Sequence, residues 1–365
     1  MKTAFKKISL VLLALAIVQL TASCRNARKN GPSYVIGFYN LENLFDTTHD
    51  EGKNDYEYTP DGTNEWTPEK YQQKLSNMAY AIAQMKEANG AWHAVLGVAE
   101  VENHHVLDDL VAQPAIAGAG YQIVHREGPD RRGIDVALLY RPDIFHPVAV
   151  ESIPFSFAPS RIDWSEWTQE EMDHFRTRDV LMVRGTIDGE MFAFFVAHLP
   201  SRLGGKGADL RPRGAEIIHQ RAMQLQQEFP GIKIVVMGDM NDNPGDSSMT
   251  DYLRGRETIA ETTAEDFFDP FLSMIKAGQG SLFYRGNPNI FDIIMVNRAL
   301  ASAPKGTLQI QPVGDFYGCI FNAAFLTNQE GQYKGTPFRT FSNGVFINGY
   351  SDHYPTYIII KKGKK

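Results

Sequence analysis

The run Ile234-Val235-Val236-Met237-Gly238 is apolar, largely β-branched and free of polar interruption, and it ends at Asp239-Met240-Asn241-Asp242-Asn243-Pro244. Such a run reads as a strand buried on both faces. The acid and amide side chains that follow, closed by Pro244 and Gly245, read as a turn. Polar groups at the carboxyl end of a buried strand stand where α/β folds place their sites. Taken alone, the same stretch is also an ordinary Asx-rich turn.

Other strands end in the same way. Tyr34–Tyr39 runs into Asn40-Leu41-Glu42-Asn43, Ala94–Ala99 into Glu100-Val101-Glu102-Asn103, and Phe192–Ala197 into His198-Leu199-Pro200-Ser201-Arg202. Phe291–Val296 carries Asp292, and Ser351-Asp352-His353 precedes a last strand at Tyr357–Ile360. Further strands are predicted at Tyr121–His125, Val136–Tyr140, Val148–Ile153 and Val180–Thr186, and a weaker one at Leu308–Val313. Thr67-Pro68 opens a helix whose apolar stripe is Tyr71, Leu75, Met78, Ile82 and Met85, and Asn89-Gly90 closes it. Another helix is predicted from Val106. A Gly-rich loop, Gly204–Gly207, leads to a helix over Arg213–Phe229. Tyr317–Gly349, rich in aromatic residues, Gly and Asn, reads as loops and short strands over one face. Several strands follow one another without a helix between them. This points to mixed sheets packed together and flanked by helices.

The chain has 365 residues, 43% of them hydrophobic, which suffices for a sizeable core. No linker interrupts residues 33–361, so one domain is expected there. The net charge of -7 argues against a polyanion binder that relies on bulk positive charge. Lys2, Lys6 and Lys7 precede the apolar run Ile8–Leu20, which is short for a membrane span, and Thr21-Ala22-Ser23-Cys24 follows. The segment 1–23 resembles a bacterial lipoprotein signal. The resemblance implies lipidation of Cys24, a tether over residues 24–32 and a membrane-anchored place in the cell envelope, on the periplasmic or outer-membrane face. Thr21 departs from the usual first lipobox residue, which leaves plain secretion as the alternative. With Cys24 lipidated, the second of the 2 cysteines, Cys319, has no disulfide partner.

In order and spacing, the six polar strand ends resemble the endonuclease/exonuclease/phosphatase superfamily, the group of deoxyribonuclease I. Gly238-Asp239-Met240-Asn241-Asp242 and Ser351-Asp352-His353 are the most specific of them. The resemblance spans about residues 34–361. It implies an α+β fold, a four-layer α/β/β/α sandwich of two mixed β-sheets with the site at one edge.

Site roles follow from the resemblance, residue by residue. Glu100 is implied as a ligand of Mg²⁺ or Mn²⁺, hard ions that favour oxygen donors. Asp352 is implied as a further carboxylate on the metal side. Glu42, two residues beyond Asn40 on an extended segment, could face the same site as a second metal contact. Asn40 is implied beside metal and phosphate. Asp239 is implied to activate the attacking water and Asn241 to donate to a phosphoryl oxygen. His353 and Asp292 are implied as a pair in which the carboxylate fixes and charges the imidazole. His198 is implied to bind or protonate the phosphate. Arg178 is implied to touch or buttress the site, and Arg132, Arg202 and Arg339 lie in loops that could reach substrate.

The expected activity is metal-assisted hydrolysis of a phosphodiester by direct attack of water, with a nucleic acid, a phospholipid or a small phosphodiester as substrate and the chain acting as a monomer. Phosphomonoester hydrolysis or phospholipid cleavage on the same fold is the nearest alternative. A non-catalytic phosphate-binding lipoprotein and a purely structural envelope protein are alternatives of another class.

Overall fold

The computed structural model describes residues 32–202 and 207–363. The signal segment, Cys24 and most of the tether lie outside the described residues, as does part of the loop Gly204–Gly207.

Two seven-stranded sheets carry the chain. The first contains β1 (Ser33–Leu44), β2 (His93–Val101), β3 (Gln122–His125), β4 (Asp135–Tyr140), β14 (Leu308–Gln311), β15 (Gly318–Ile320) and β18 (Thr356–Lys362). The second contains β5 (Phe145–Ile153), β6 (Val180–Ile187), β7 (Glu190–His198), β8 (Lys233–Asp239), β9 (Gly255–Arg256), β10 (Phe267–Phe268) and β13 (Asp292–Asn297). Two small hairpins, β11–β12 (Leu282–Tyr284, Asn287–Asn289) and β16–β17 (Phe341–Ser342, Val345–Phe346), stand apart.

Both sheets have the same centre. β1 and β2 run parallel, as do β7 and β8, and their other neighbours are antiparallel. A parallel pair needs a long crossover. Two 22-residue helices supply it, Pro68–Asn89 between β1 and β2 and Gly207–Glu228 between β7 and β8. The sheets face each other, with β1 over β8 and β13 and β2 over β7 and β8. The approach is close at Gly97 of β2, where a Cβ would lie 2.6 Å from Met237 Sδ. One continuous apolar cluster fills the space between sheets and under helices. The four layers expected from the resemblance are therefore present.

The first crossover helix begins as its sequence indicates. Thr67 accepts from Lys70 N, Pro68 stands at the first helical position, and Gly90 ends the helix in the left-handed region at φ 69°. The second begins at Gly207, not at Arg213, and takes Pro212 inside it. Tertiary contacts hold that early turn: Arg211 meets Asp242 at 2.9 Å, and Arg213 donates to Ser156 O at 2.6 Å. β1 also runs further than its apolar pattern suggests, through the polar stretch to Leu44, with a break in register against β2 between Asn40 and Leu44. Asp292 is the first residue of β13 rather than an interior one.

Candidate active site

The site forms where parallel strands end and antiparallel ones begin. In the second sheet His198, Asp239 and Asp292 are register neighbours across β7, β8 and β13. The first sheet brings Asn40 and Glu100 from the ends of β1 and β2. Asn40 Nδ2 joins the two sheets, donating to Asp239 Oδ2 at 3.0 Å and to Glu100 Oε1 at 3.4 Å.

Backbone irregularities aim these groups. Glu42, Glu100 and Asn241 all have positive φ, at 50°, 60° and 51°. Left-handed backbone in non-glycine residues costs energy and persists only where surroundings impose it. Here the imposed contacts are visible. Asn43 N donates to the second Glu100 oxygen at 2.9 Å, Glu42 N to Asn40 Oδ1 at 2.9 Å, and Asn241 N to Asp239 Oδ1 at 3.0 Å. The register breaks beside Asn40 and Glu100 interrupt the ladder and re-aim side chains at the strand ends.

His353 Nδ1 lies 2.8 Å from Asp292 Oδ2, and its Nε2 lies 3.8 Å from Asp239 Oδ2. Ser351 fixes the segment, accepting from His353 N at 3.1 Å and donating to Asn40 O at 2.7 Å. Ser281 donates to Asp292. Burial opposes a charged imidazole at His353, but Asp292, Asp239 and Asp352 outweigh it and hold its pKa well above the usual histidine value. His198 goes the other way. Burial, helped by Arg178, Arg132 and His353, pushes it well below the usual value. One imidazole is thus charged at neutral pH and the other neutral. Neutral His198 suits binding a phosphate by hydrogen bond better than protonating it. Asp239 is pushed up to about 6 by burial, against the lowering effect of His353 and with Asp292 and Glu100 adding to the rise.

The remaining expected residues stand around this centre. Arg178 Nε and Nη2 donate to His198 O and Leu199 O at 3.2 and 2.9 Å, and its third contact is Asp130. It buttresses the end of β7. Arg132 donates to Asn43 Oδ1 at 2.9 Å, behind Glu100. Arg202 is bound to Asn241 O, Asp242 and Asp246. Asn241 Nδ2 donates to Leu199 O at 2.9 Å, which leaves its second amide hydrogen for another acceptor.

Arg339 bridges Glu42 at 2.8 Å and Asp352 at 3.0 Å. Both Glu42 oxygens are occupied, one by Arg339 and the other by Thr340 N at 2.7 Å, with Lys74 Nζ 4.0 Å away. Asp352 Oδ1 reaches to 3.8 Å from His353 Nε2. Neither Glu42 nor Asp352 joins the compact group of Glu100, His198 and Asp239, whose ligand atoms lie within 4.8 Å of one another.

That group could hold a metal ion. Its carboxylates suit Mg²⁺, and the added imidazole nitrogen suits Mn²⁺ better. The buried His198 Nδ1 has no hydrogen-bond partner among the described residues.

Sequence reasoning missed Ser281, Ser351 as a bridge to Asn40, Asp130 and Lys74. Lys74 had a readable signal: it lies three residues after Tyr71 and four before Met78, on the helix's apolar stripe.

The chain belongs to the endonuclease/exonuclease/phosphatase family, whose sequence model matches residues 35–362. No curated protein matches it in sequence. Solved structures share its fold. TDP2 of D. rerio, complexed with a single-strand DNA product, aligns at TM-score 0.52 and 15% identity over 90% of this chain and 99% of that one. The mannosyl-6-phosphatase Bt3783 of Bacteroides thetaiotaomicron aligns at 0.51 and 16% over 90% and 98%. The human Nocturnin catalytic domain with bound sulfate aligns at 0.50 and 15% over 91% and 95%.

Proposed function

We propose that this chain is a metal-assisted phosphodiesterase that cuts by direct attack of water on phosphorus. The observation that carries this is the placing of Asp239 between Asn40 at 3.0 Å and the charged His353 at 3.8 Å. Asp239 accepts the proton of the attacking water. Without a metal its pKa of about 6 leaves it ionised at neutral pH, and with one oxygen on the ion the other would take that proton. Asn241 N fixes the other oxygen of Asp239. His353, charged by Asp292, donates from Nε2 to the negative charge that builds on the phosphoryl oxygens. Neutral His198 adds a hydrogen bond. Glu100 and Asp239 would hold Mg²⁺ or Mn²⁺, which would supply positive charge for the phosphoryl and leaving oxygens.

Glu42 and Asp352 share Arg339, and Asp292 is paired with the charged His353, so Glu100 and Asp239 are the carboxylates that a divalent ion would balance. We take a diester as the substrate, and paired reporters decide it against a monoester.

The test compares bis(p-nitrophenyl) phosphate with p-nitrophenyl phosphate in Mg²⁺ or Mn²⁺, with plasmid DNA and a phospholipid alongside. Faster diester turnover is expected. Monoester turnover alone would overturn the diester assignment and keep the hydrolase. The family relation leaves both open, because the fold is shared by a chain solved with DNA product and by a mannosyl-6-phosphatase.

We also propose export and lipid anchoring at Cys24, supported by the basic, apolar and small-residue succession before it. Expression in a bacterial host with a labelled fatty acid should label the chain, and Cys24→Ala should release it from membranes. Equal labelling of the variant would sink this assignment.

A further inference from the structure

Beside the catalytic centre lies a cavity of about 220 Å³ between the β11–β12 hairpin and the loop of residues 328–343. Its walls include Phe283, Arg285, Tyr333, Arg339, Asn343 and Asp352. Asp352 ties it to the site, since its carboxylate reaches to 3.8 Å from His353 Nε2, the nitrogen that faces the phosphate. A group attached to the bound phosphorus therefore has a short path into this cavity.

Size limits what enters. Clefts for drug-sized ligands run to about 300–1,000 Å³, so this one takes roughly a single ring and not a run of nucleotides. Tyr333, 45% exposed, and Phe283 offer apolar faces for such a ring.

Charge sets its chemistry. The arginines around the catalytic centre are committed: Arg132 to Asn43, Arg178 to Asp130, Arg202 to Asp242 and Asp246, and Arg339 to Glu42 and Asp352. Arg285 is different. Its guanidinium lies 5.2 Å from the ring of its neighbour Tyr284, and among the described residues no carboxylate lies within ion-pair distance of it. A two-residue turn sets its backbone, with Arg285 at φ 51° and Gly286 at φ 80°. Both φ values are those of the tight hairpin turn that matches strand twist. The side chain is exposed at the hairpin tip and lines the cavity, so its planar fork is free to meet a carboxylate or phosphate there.

We propose that this cavity is the specificity pocket of the hydrolase, and that it selects substrates whose organic part is one compact ring bearing a second anionic group, a phosphate or carboxylate, paired with Arg285. The proposal rests on the phosphoesterase reading for the position of the scissile phosphate.

Three matched probes test it, each carrying the scissile phosphate as its methyl diester at C1: glucose, glucose 6-phosphate and glucuronic acid. Binding is read by calorimetry on the Asp292→Asn chain, where turnover is slowed and Glu100 and Asp239 stay in place, and by inhibition of reporter hydrolysis in the wild type. At least one of the two sugars with a second anion should bind about tenfold more tightly than the glucose diester, and which one identifies the anion. Adding Arg285→Ala should bring the three within about twofold, and Arg285→Lys should keep part of the preference, with thermal melts as the fold control for both. Equal binding of all three probes, or a preference that survives Arg285→Ala, would overturn the proposal. Failure of the hydrolase reading shows separately, as a preference in calorimetry without any reporter turnover.

Discussion

His353 Nδ1 stands 2.8 Å from Asp292 Oδ2, although His353 lies in the loop that leads into β18 of the first sheet and Asp292 opens β13 of the second. The contact crosses the sandwich and sets the charge of the imidazole that faces Asp239. Asp292→Asn should therefore lower kcat by about 10²–10⁴, the usual worth of a positioned acid–base group, with the fold retained. A loss under tenfold would remove the pair from the mechanism.

The same pair has a stability signature. His353 has a raised folded-state pKa. Its contribution to stability is then fully present below the unfolded value of about 6.5 and is lost as pH rises through the folded value. In EDTA, the difference in Tm between wild type and His353→Asn should be largest at acid pH and shrink on the alkaline side. A difference that grows with pH would contradict the assignment.

Metal binding should compete with protons. With no metal bound, Asp239 titrates at about 6, because burial, Asp292 and Glu100 favour its neutral form against His353. A cation needs it ionised. Mn²⁺ titrated by calorimetry should bind more weakly at pH 5.5 than at 7.5, with proton release at the lower pH. Equal affinity at both would place the ion away from Asp239.

Beneath the site, Lys74 and Arg339 both attend Glu42 but differ in exposure, 0% against 48% of the side chain. Burial lifts Glu42 to about 7 and lowers Lys74 to about 8. Lys74 also donates to Thr340 Oγ1 and Tyr350 O, each at 2.6 Å. Lys74→Met should cost about 3–5 kcal/mol, since it strips a buried network of its cation. Arg339→Ala should cost about 1 kcal/mol, because half of that side chain is already in water. Urea unfolding of the two variants gives the order, and the reverse order would refute this account of Glu42.

Gly238 sits just before Asp239, and a Cβ there would meet Ala197 O of the neighbouring strand at 2.1 Å. Backbone cannot step aside as a side chain does. Gly238→Ala should cost at least about 1–3 kcal/mol and reduce activity by shifting β8 against β7. Gly97→Ala meets the flexible Met237 side chain instead and should cost less. Thermal melts and reporter rates on both variants check the contrast.

Much of this was legible in the sequence where the signal was local. The apolar run into Gly238-Asp239, the Thr67-Pro68 start and the Gly90 stop each write their structure into a few adjacent residues. Asn40, Glu100, His198 and Asp239 were readable as strand ends for the same reason. Their register was not. The row Asp292–Asp239–His198 depends on which strands pair, and no local pattern states that. The helix start at Gly207 was hidden because Arg211 and Arg213 extend the helix past Pro212 through distant partners. The Glu42–Arg339–Asp352 chain was hidden too, as its members meet only after folding. Short pairs such as β9–β10 are held by their neighbours and carry no propensity signal of their own.

The most direct measurement is reporter hydrolysis by the purified protein with and without Mn²⁺, for wild type and Asp239→Asn. The expected result is turnover in the wild type that EDTA abolishes and Mn²⁺ restores, and a loss of about 10²-fold or more in Asp239→Asn. Turnover that persists in EDTA, or that survives in Asp239→Asn, would contradict the central claim that Asp239 and a bound divalent ion carry the hydrolysis.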